Sequence, residues 1–381
     1  MLTGAQPDTR LIDAQSYGEQ VPPKSPSARE LDGGVGEPRH KTFPVTVFGG
    51  LPTQDSEVLT QHEQLEVLRA RRPGANVAPS IQLSQTSRND INHTTERTTM
   101  TNSYSETANK RISSPNEIDY VYREIGDGAV PLVLLQHFRG NLDSWDPDLI
   151  DAVASSRRVV AFDNVGVGAT TGSTPNSVEQ MAHDAISFLD ALELDHVDVL
   201  GFSIGSFVAQ EMALVRPDIV RRLVLASSAP KGAAGMHGWA PEVVAAVGNR
   251  ETSPDGYLKV FYTGSESSRE AGQEALKRMF ARQVDRDQPT TWETRLAQYD
   301  AVCAWGIPNH ALLQRLGSIR VPVFVANGDS DPMILSRYSH LLAGLIPQAR
   351  LKLYPDSAHG FLFQHHAEFA SDVDAFLSGP G

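Results

Sequence analysis

Cysteine is almost absent from this 381-residue chain. Cys303 stands alone, so no intrachain disulfide can form, a pattern that suits a reducing compartment. Positive charge is in the minority, with 33 Lys and Arg against 46 Asp and Glu and a formal net charge of -13. That balance removes the electrostatic reason to expect nucleic acid or an anionic membrane as a partner. No apolar run is long enough for a transmembrane span. The opening residues, MLTGAQPDTR, lack the basic start and apolar stretch of a secretory signal, and the closing FLSGPG matches no peroxisomal tripeptide or lipidation box. By elimination the expected location is cytoplasmic. There is no His/Cys/Asp/Glu cluster at metal-ligand spacing, no Lys-Ser/Thr after a glycine-rich loop and no internal repeat. The expectation is therefore a chain without metal or cofactor, acting on a small molecule; its oligomeric state is left open.

What is present divides into unlike parts. Hydrophobic residues make up 40% and charged residues 21%, values that suit a globular enzyme. Residues 1–110 are rich in Gln, Ser, Thr, Pro, Gly and Asn, with few apolar clusters, so this extension is expected to be poorly ordered. Within it, 42–51 reads as a strand and 56–71 as one helix. Because the ordered pattern begins soon after Met100, that residue is an alternative start and the extension is read as dispensable. From residue 113 apolar runs alternate with amphipathic stretches. Strands are expected at 118–125, 132–135, 157–162, 196–201, 220–226, 321–326 and 350–354. Helices are expected at 145–154, 177–192, 205–215, 335–345 and 367–377. This alternation predicts an α/β fold with a mostly parallel sheet covered on both faces, built from residues 113–230 and 319–378.

Residues 231–318 break the alternation. Their signals are helical throughout, at 241–247, 254–261, 268–280, 290–304 and 309–316, and they read as a cap inserted over the strand ends. The aromatics there, including Trp239 and Trp305, are either the cap's own core or part of a substrate pocket.

Gly201-Phe202-Ser203-Ile204-Gly205 follows a strand and opens a helix. A serine on such a sharp turn projects its hydroxyl from the sheet, and Gly201 and Gly205 leave room for the turn. The hydroxyl needs a base oriented by a carboxylate. Both follow in the chain at strand ends. Asp331 lies in Asn327-Gly328-Asp329-Ser330-Asp331-Pro332, with Asp329 as the alternative acid, and His359 lies in Asp356-Ser357-Ala358-His359-Gly360. His365, His366 and Asp356 are read as structural. The strand end facing the serine carries Gln136-His137-Phe138-Arg139-Gly140. Aligned on its apolar run with the α/β-hydrolase fold that these motifs resemble, this strand end puts Phe138 at the oxyanion-donor position, its amide paired with that of Ile204, and aligned on the histidine it puts Arg139 there instead. His137 is read as structural, whereas Arg139 is a candidate for a substrate carboxylate or a solvated loop residue.

On these motifs the chain from about residue 113 to 378 resembles the α/β-hydrolase fold, in particular capped serine esterases and cofactor-free haloperoxidase-like hydrolases. Gly328 and Asp331 match that family's Gly-x-x-Asp loop, and Asp163-Asn164-Val165-Gly166-Val167-Gly168 matches its Asp-x-x-Gly-x-Gly turn. The oxyanion strand departs from the family's usual His-Gly-x. The resemblance implies a serine hydrolase acting on an ester-like small molecule through an acyl-enzyme. Alternatives are a carbon–carbon bond hydrolase of diketones and a small-ligand binding protein on the same scaffold.

Overall fold

The computed structural model describes residues 103–379. The strand at 42–51, the helix at 56–71 and the start at Met100 lie outside the described residues.

Ordered structure begins earlier than residue 110. A 3-10 turn at Tyr104–Glu106 buries Tyr104, whose hydroxyl donates to the Leu142 carbonyl at 2.9 Å. A strand absent from the sequence reading follows, β1 (Lys110–Ser113). It is mostly exposed and pairs antiparallel with β2 (Asp119–Ile125), so it carried no apolar alternation to detect. β2 pairs antiparallel with β4 (Val159–Phe162), and the remaining pairings are parallel, through β3 (Leu132–Leu135), β5 (Val197–Phe202), β6 (Val220–Ala226), β7 (Val323–Gly328) and β8 (Ala349–Tyr354). The eight strands run in the order β1-β2-β4-β3-β5-β6-β7-β8. Every residue of β3, β4, β5 and β7 is buried. That is why, apart from Asp198 and Asn327, these strands read as apolar runs: a parallel sheet under helices has no solvent face.

The helices have local start signals. Asp146 caps α1 (Pro147–Ala154) by accepting from the Asp148 amide, and Pro147 occupies the first helical position, where its missing N–H costs nothing. Ser177 caps α2 (Val178–Ala191). α3 (Ile204–Val215) is buried along nearly its whole length and packs against α2. Five helices lie between β6 and β7: α4 (Pro241–Val247), α5 (Pro254–Phe261), α6 (Glu266–Met279), α7 (Trp292–Trp305) and α8 (His310–Arg315). Two of the five match the sequence reading at both ends. Among the described residues, no strand interrupts them. α9 (Arg337–Leu345) joins β7 to β8. A short α10 (Phe361–Gln364), missed in sequence, precedes α11 (His366–Ser378), which packs on α1.

Candidate active site

β5 ends at Phe202 and α3 begins at Ile204, so Ser203 makes the turn alone, with φ 56° and ψ −123°. Few residues with a Cβ tolerate that conformation, and it throws the side chain off the strand end. A Cβ on Gly201 would strike the Gly205 backbone, and one on Gly205 would strike the Leu135 and Gln136 carbonyls. The elbow therefore needs glycine at both positions.

β7 and β8 run parallel beside β6, so their following loops emerge at the same sheet edge as Ser203. His359 Nε2 lies 2.9 Å from Ser203 Oγ, and His359 Nδ1 lies 2.8 Å from Asp331 Oδ2. The three residues are 3%, 1% and 2% exposed, in the order Ser203, His359, Asp331. Asp331 Oδ1 accepts from the Met333 and Ile334 amides at 2.8 and 2.9 Å, which fixes the carboxylate's angle to the imidazole. Asp329 is exposed and accepts from Ser330, Asp356 and Ser357, so the structure brings Asp331 and not Asp329 to the histidine. Asp356 accepts from the hydroxyls of Thr263, Ser265 and Ser267 and thereby ties the His359 loop to the junction of α5 and α6. His365 stacks on Tyr354, away from Ser203.

Several residues that hold this geometry carried no motif. Ser227 Oγ sits 2.9 Å from Asn327 Oδ1 and 3.1 Å from the His359 carbonyl, joining the loops after β6, β7 and β8. Phe261 packs edge-on against the His359 ring at 5.2 Å, and its carbonyl accepts from the Gly360 amide at 2.8 Å. Polar residues at the ends of apolar strands were the available signal for Ser227 and Asn327.

The loop facing Ser203, expected to donate to the oxyanion, is tied to the insertion. Gln298 of α7 accepts from the Arg139 amide at 2.7 Å, while no described residue accepts from the amides of Phe138 or Ile204. Arg139 itself has φ 62°, and its guanidinium donates to the Asn249 and Arg250 carbonyls at 2.7 and 3.0 Å. Two of its five guanidinium donors are thus engaged by backbone carbonyls of the insertion. His137 is buried against Phe202 and Phe261, and its Nδ1 lies 2.8 Å from the Phe138 carbonyl. Burial pushes its pKa down to about 3, so it is a neutral ring packed behind the site.

The two tryptophans separate. Trp305 is 2% exposed, lies flat on Phe207 at 5.0 Å and donates from Nε1 to the Ala229 carbonyl at 3.0 Å. It is a core residue, and the pocket reading of it is corrected. Trp239 meets the Phe138 ring edge-on at 4.8 Å, next to the loop that faces Ser203. The turn at 163–168 is taken up with shaping: Asp163 accepts from the Leu142 amide, and a Cβ on Gly168 would strike the Asp163 carboxylate. Among the described residues, no group of three or more His, Cys, Asp or Glu is arranged to hold a metal, and no helix is long and apolar enough to cross a membrane.

Known proteins resemble this chain in sequence and in fold. A family model described as the alpha/beta hydrolase fold matches residues 130–366. An alpha/beta hydrolase fold protein from Chitinophaga pinensis superposes with a TM-score of 0.69 at 36% identity, covering 73% of this chain and all of that one. Est816, described as an N-acyl homoserine lactone degrading enzyme, superposes at 0.57 with 26% identity, covering 70% of this chain and 100% of its own. A protein provisionally named the carbamate hydrolase RutD in Azorhizobium caulinodans is 27% identical over 260 residues, 63% of this chain and 88% of its own. With the strand order, the elbow and the family match in agreement, this chain is a member of the α/β-hydrolase family and a hydrolase by kinship.

Proposed function

We propose that the chain is a serine hydrolase that cleaves a small ester-like substrate, whether carboxylic ester, lactone or thioester, through an acyl-enzyme. The observation that carries this reading is the unbroken chain from Ser203 Oγ through His359 to Asp331, with spacings of 2.9 and 2.8 Å. In the proposed reaction Ser203 attacks the carbonyl carbon while His359 Nε2 takes its proton. Asp331 holds the ring by its Nδ1–H and stabilises the imidazolium that forms. The free Phe138 and Ile204 amides bind the oxyanion, helped by the positive end of α3. The leaving group takes the proton back from His359. Water, activated by the same histidine, then releases the acyl group. Residues 231–318 act as a cap over this site: α5 covers His359, and α7 sets the oxyanion loop. The relatives named for a lactone and a carbamate also act at an acyl carbon bearing a heteroatom leaving group, which agrees with the reading.

The test is labelling with a fluorophosphonate probe alongside turnover of p-nitrophenyl esters of graded chain length. Wild type is expected to label and to turn over, and Ser203→Ala to lose both. His359→Ala should lower turnover by about 10³-fold or more while the fold persists. Labelling that survives in Ser203→Ala, or near wild-type turnover in either variant, would remove the reading. A ring-cleavage diketone in the same panel separates carbon–carbon hydrolysis from ester cleavage. A probe-inert chain that still binds small ligands would be a binding protein.

A further inference from the structure

Arg295 stands one turn into α7 and is 6% exposed. Its Nε is enclosed without an acceptor, and its guanidinium has no hydrogen-bond or ion-pair partner among the described residues. Aromatic rings surround it instead. The ring centres of Tyr299, Trp292 and Phe138 lie 4.6, 5.0 and 6.0 Å from its central carbon. The charges near it have the same sign. Arg250 lies over the same Trp292 ring at 5.4 Å, and the charge of Arg295 adds to burial in pressing the Arg139 guanidinium below its ordinary pKa. On its own helix, Glu293 and Asp300 are exposed to solvent. The positive end of the α7 dipole is a further unfavourable neighbour.

Buried cations in folded proteins are paired, because removing a charge from water costs far more than ring faces return. Arg139 meets that need with two carbonyls of the insertion. Among the described residues Arg295 has no such partner, and of its guanidinium nitrogens Nε is wholly enclosed. A second donor beside it has the same deficit: Trp239 Nε1 is buried with no acceptor. Its indole packs on Phe138 at 4.8 Å and Tyr299 at 4.9 Å, two of the rings that enclose Arg295. Guanidinium and indole N–H groups only donate. The group that would satisfy both is an acceptor bearing negative charge, and a carboxylate fits the flat fork of a guanidinium. The shared wall is Phe138, whose amide is the proposed oxyanion donor, so such a group would sit one side chain away from the scissile carbonyl.

We propose that Arg295 and the Trp239 indole N–H form a carboxylate-binding subsite, and that the substrate is an ester or lactone carrying a free carboxylate apart from its scissile carbonyl. This rests on the hydrolase reading above for the chemistry, though not for the anion site itself. The aromatic walls hold the apolar spacer between the two ends of the substrate. The carboxylate role that the sequence offered as one of two readings of Arg139 is assigned here to Arg295.

The experiment has two readouts. The first is the ratio of kcat/KM for mono-p-nitrophenyl glutarate to that for p-nitrophenyl butyrate, in wild type, Arg295→Met and Arg295→Lys. The second is calorimetric binding of succinate, glutarate and adipate to the same three proteins. Wild type is expected to favour the carboxylated ester by about tenfold or more, as the loss of a charged hydrogen bond would convert. Arg295→Met should erase that preference and weaken dicarboxylate binding by a similar factor. Arg295→Lys should fall between, because it keeps the charge and loses the fork. If wild type turns over neither ester yet binds a dicarboxylate through Arg295, the hydrolase reading fails and the subsite stands. If wild type hydrolyses both esters equally, or its preference is unmoved in the variants, the hydrolase reading stands and the subsite falls. Should Arg295→Met not fold, the wild-type ratio and Arg295→Lys decide the matter: a ratio at or below one, or one untouched by Lys, overturns the proposal.

Discussion

Gln298 accepts the Arg139 amide proton at 2.7 Å, one of several bonds that tie the loop opposite Ser203 to the insertion. Gln298 is a positioning residue here, acting through Arg139 on the neighbouring Phe138 amide. Replacing it by Leu strands a buried N–H, at a cost of about 1–3 kcal/mol if nothing relaxes. Gln298→Leu is expected to lower kcat on p-nitrophenyl esters by about tenfold with little change in KM, as loss of an interaction made in the transition state does. Gln298→Glu keeps the acceptor and should restore most of it. A fall confined to KM, or no rescue by Glu, would show that Gln298 serves only packing.

The acid is tested by a matched pair. Asp331→Asn should depress turnover by about 10⁴-fold, because the amide can no longer favour the productive histidine tautomer. Asp329→Asn, on an exposed turn, should leave turnover within a few-fold of wild type. Equal effects of the two substitutions would reopen the choice of acid.

The two tryptophans should divide between stability and catalysis. Trp305→Ala removes a ring stacked on Phe207 and is expected to cost about 3–5 kcal/mol in urea unfolding. Trp239→Ala removes a half-buried ring beside Phe138 and should chiefly alter kcat/KM, with a smaller loss of stability. A reversed order would place Trp305 in the pocket after all.

Asp163 and Asp287 make stability depend on pH. Each has a buried Oδ2 without a hydrogen-bond partner among the described residues. Burial first, then the charge of Asp287, raises the Asp163 pKa. Burial first, then the charge of Asp143, raises that of Asp287 to about 6. Arg123 opposes both shifts, Arg282 also opposes the one on Asp287, and buried Tyr104 adjoins the cluster. The folded chain holds these protons more tightly than the unfolded chain; for Asp287 stability therefore falls as pH rises from the ordinary aspartate value of 3.8 to about 6, and Asp163 adds a loss of the same sign. Asp287→Asn cannot ionise and also relieves Asp163. Its melting temperature should exceed that of wild type near neutral pH, with the gain shrinking as the pH is lowered toward 4. A constant difference across that range, or a loss at neutral pH, would contradict this account.

Much of the architecture was readable from the chain because the sheet is buried on both faces. β3 is apolar at every position, β5 and β7 are apolar or glycine but for Asp198 and Asn327, and the helices between them start at Ser177, Pro241 and Pro254, residues that cap or open a helix by local chemistry. β1 escaped because it is an exposed edge strand and shows no such pattern. The limit near residue 110 came too late for a related reason. Tyr104 owes its burial to Leu142 and Arg123, distant in sequence, and not to apolar neighbours along the chain.

At the site, local sequence determined what short-range sterics and strand order determine. Gly201 and Gly205 are required by the turn that carries Ser203, and a parallel sheet places the loops bearing Asp331 and His359 at one edge. Tertiary packing decided the rest. Asp331 faces the histidine because its carboxylate is pinned by the Met333 and Ile334 amides, whereas Asp329, two residues earlier, turns to solvent. Arg139 donates to carbonyls more than a hundred residues away, and Arg295 has no hydrogen-bond or ion-pair partner among the described residues. Residue type names a donor or an acceptor. Which group it meets is set by chain segments remote in sequence, because an unmet buried charge exists only once the fold has closed around it.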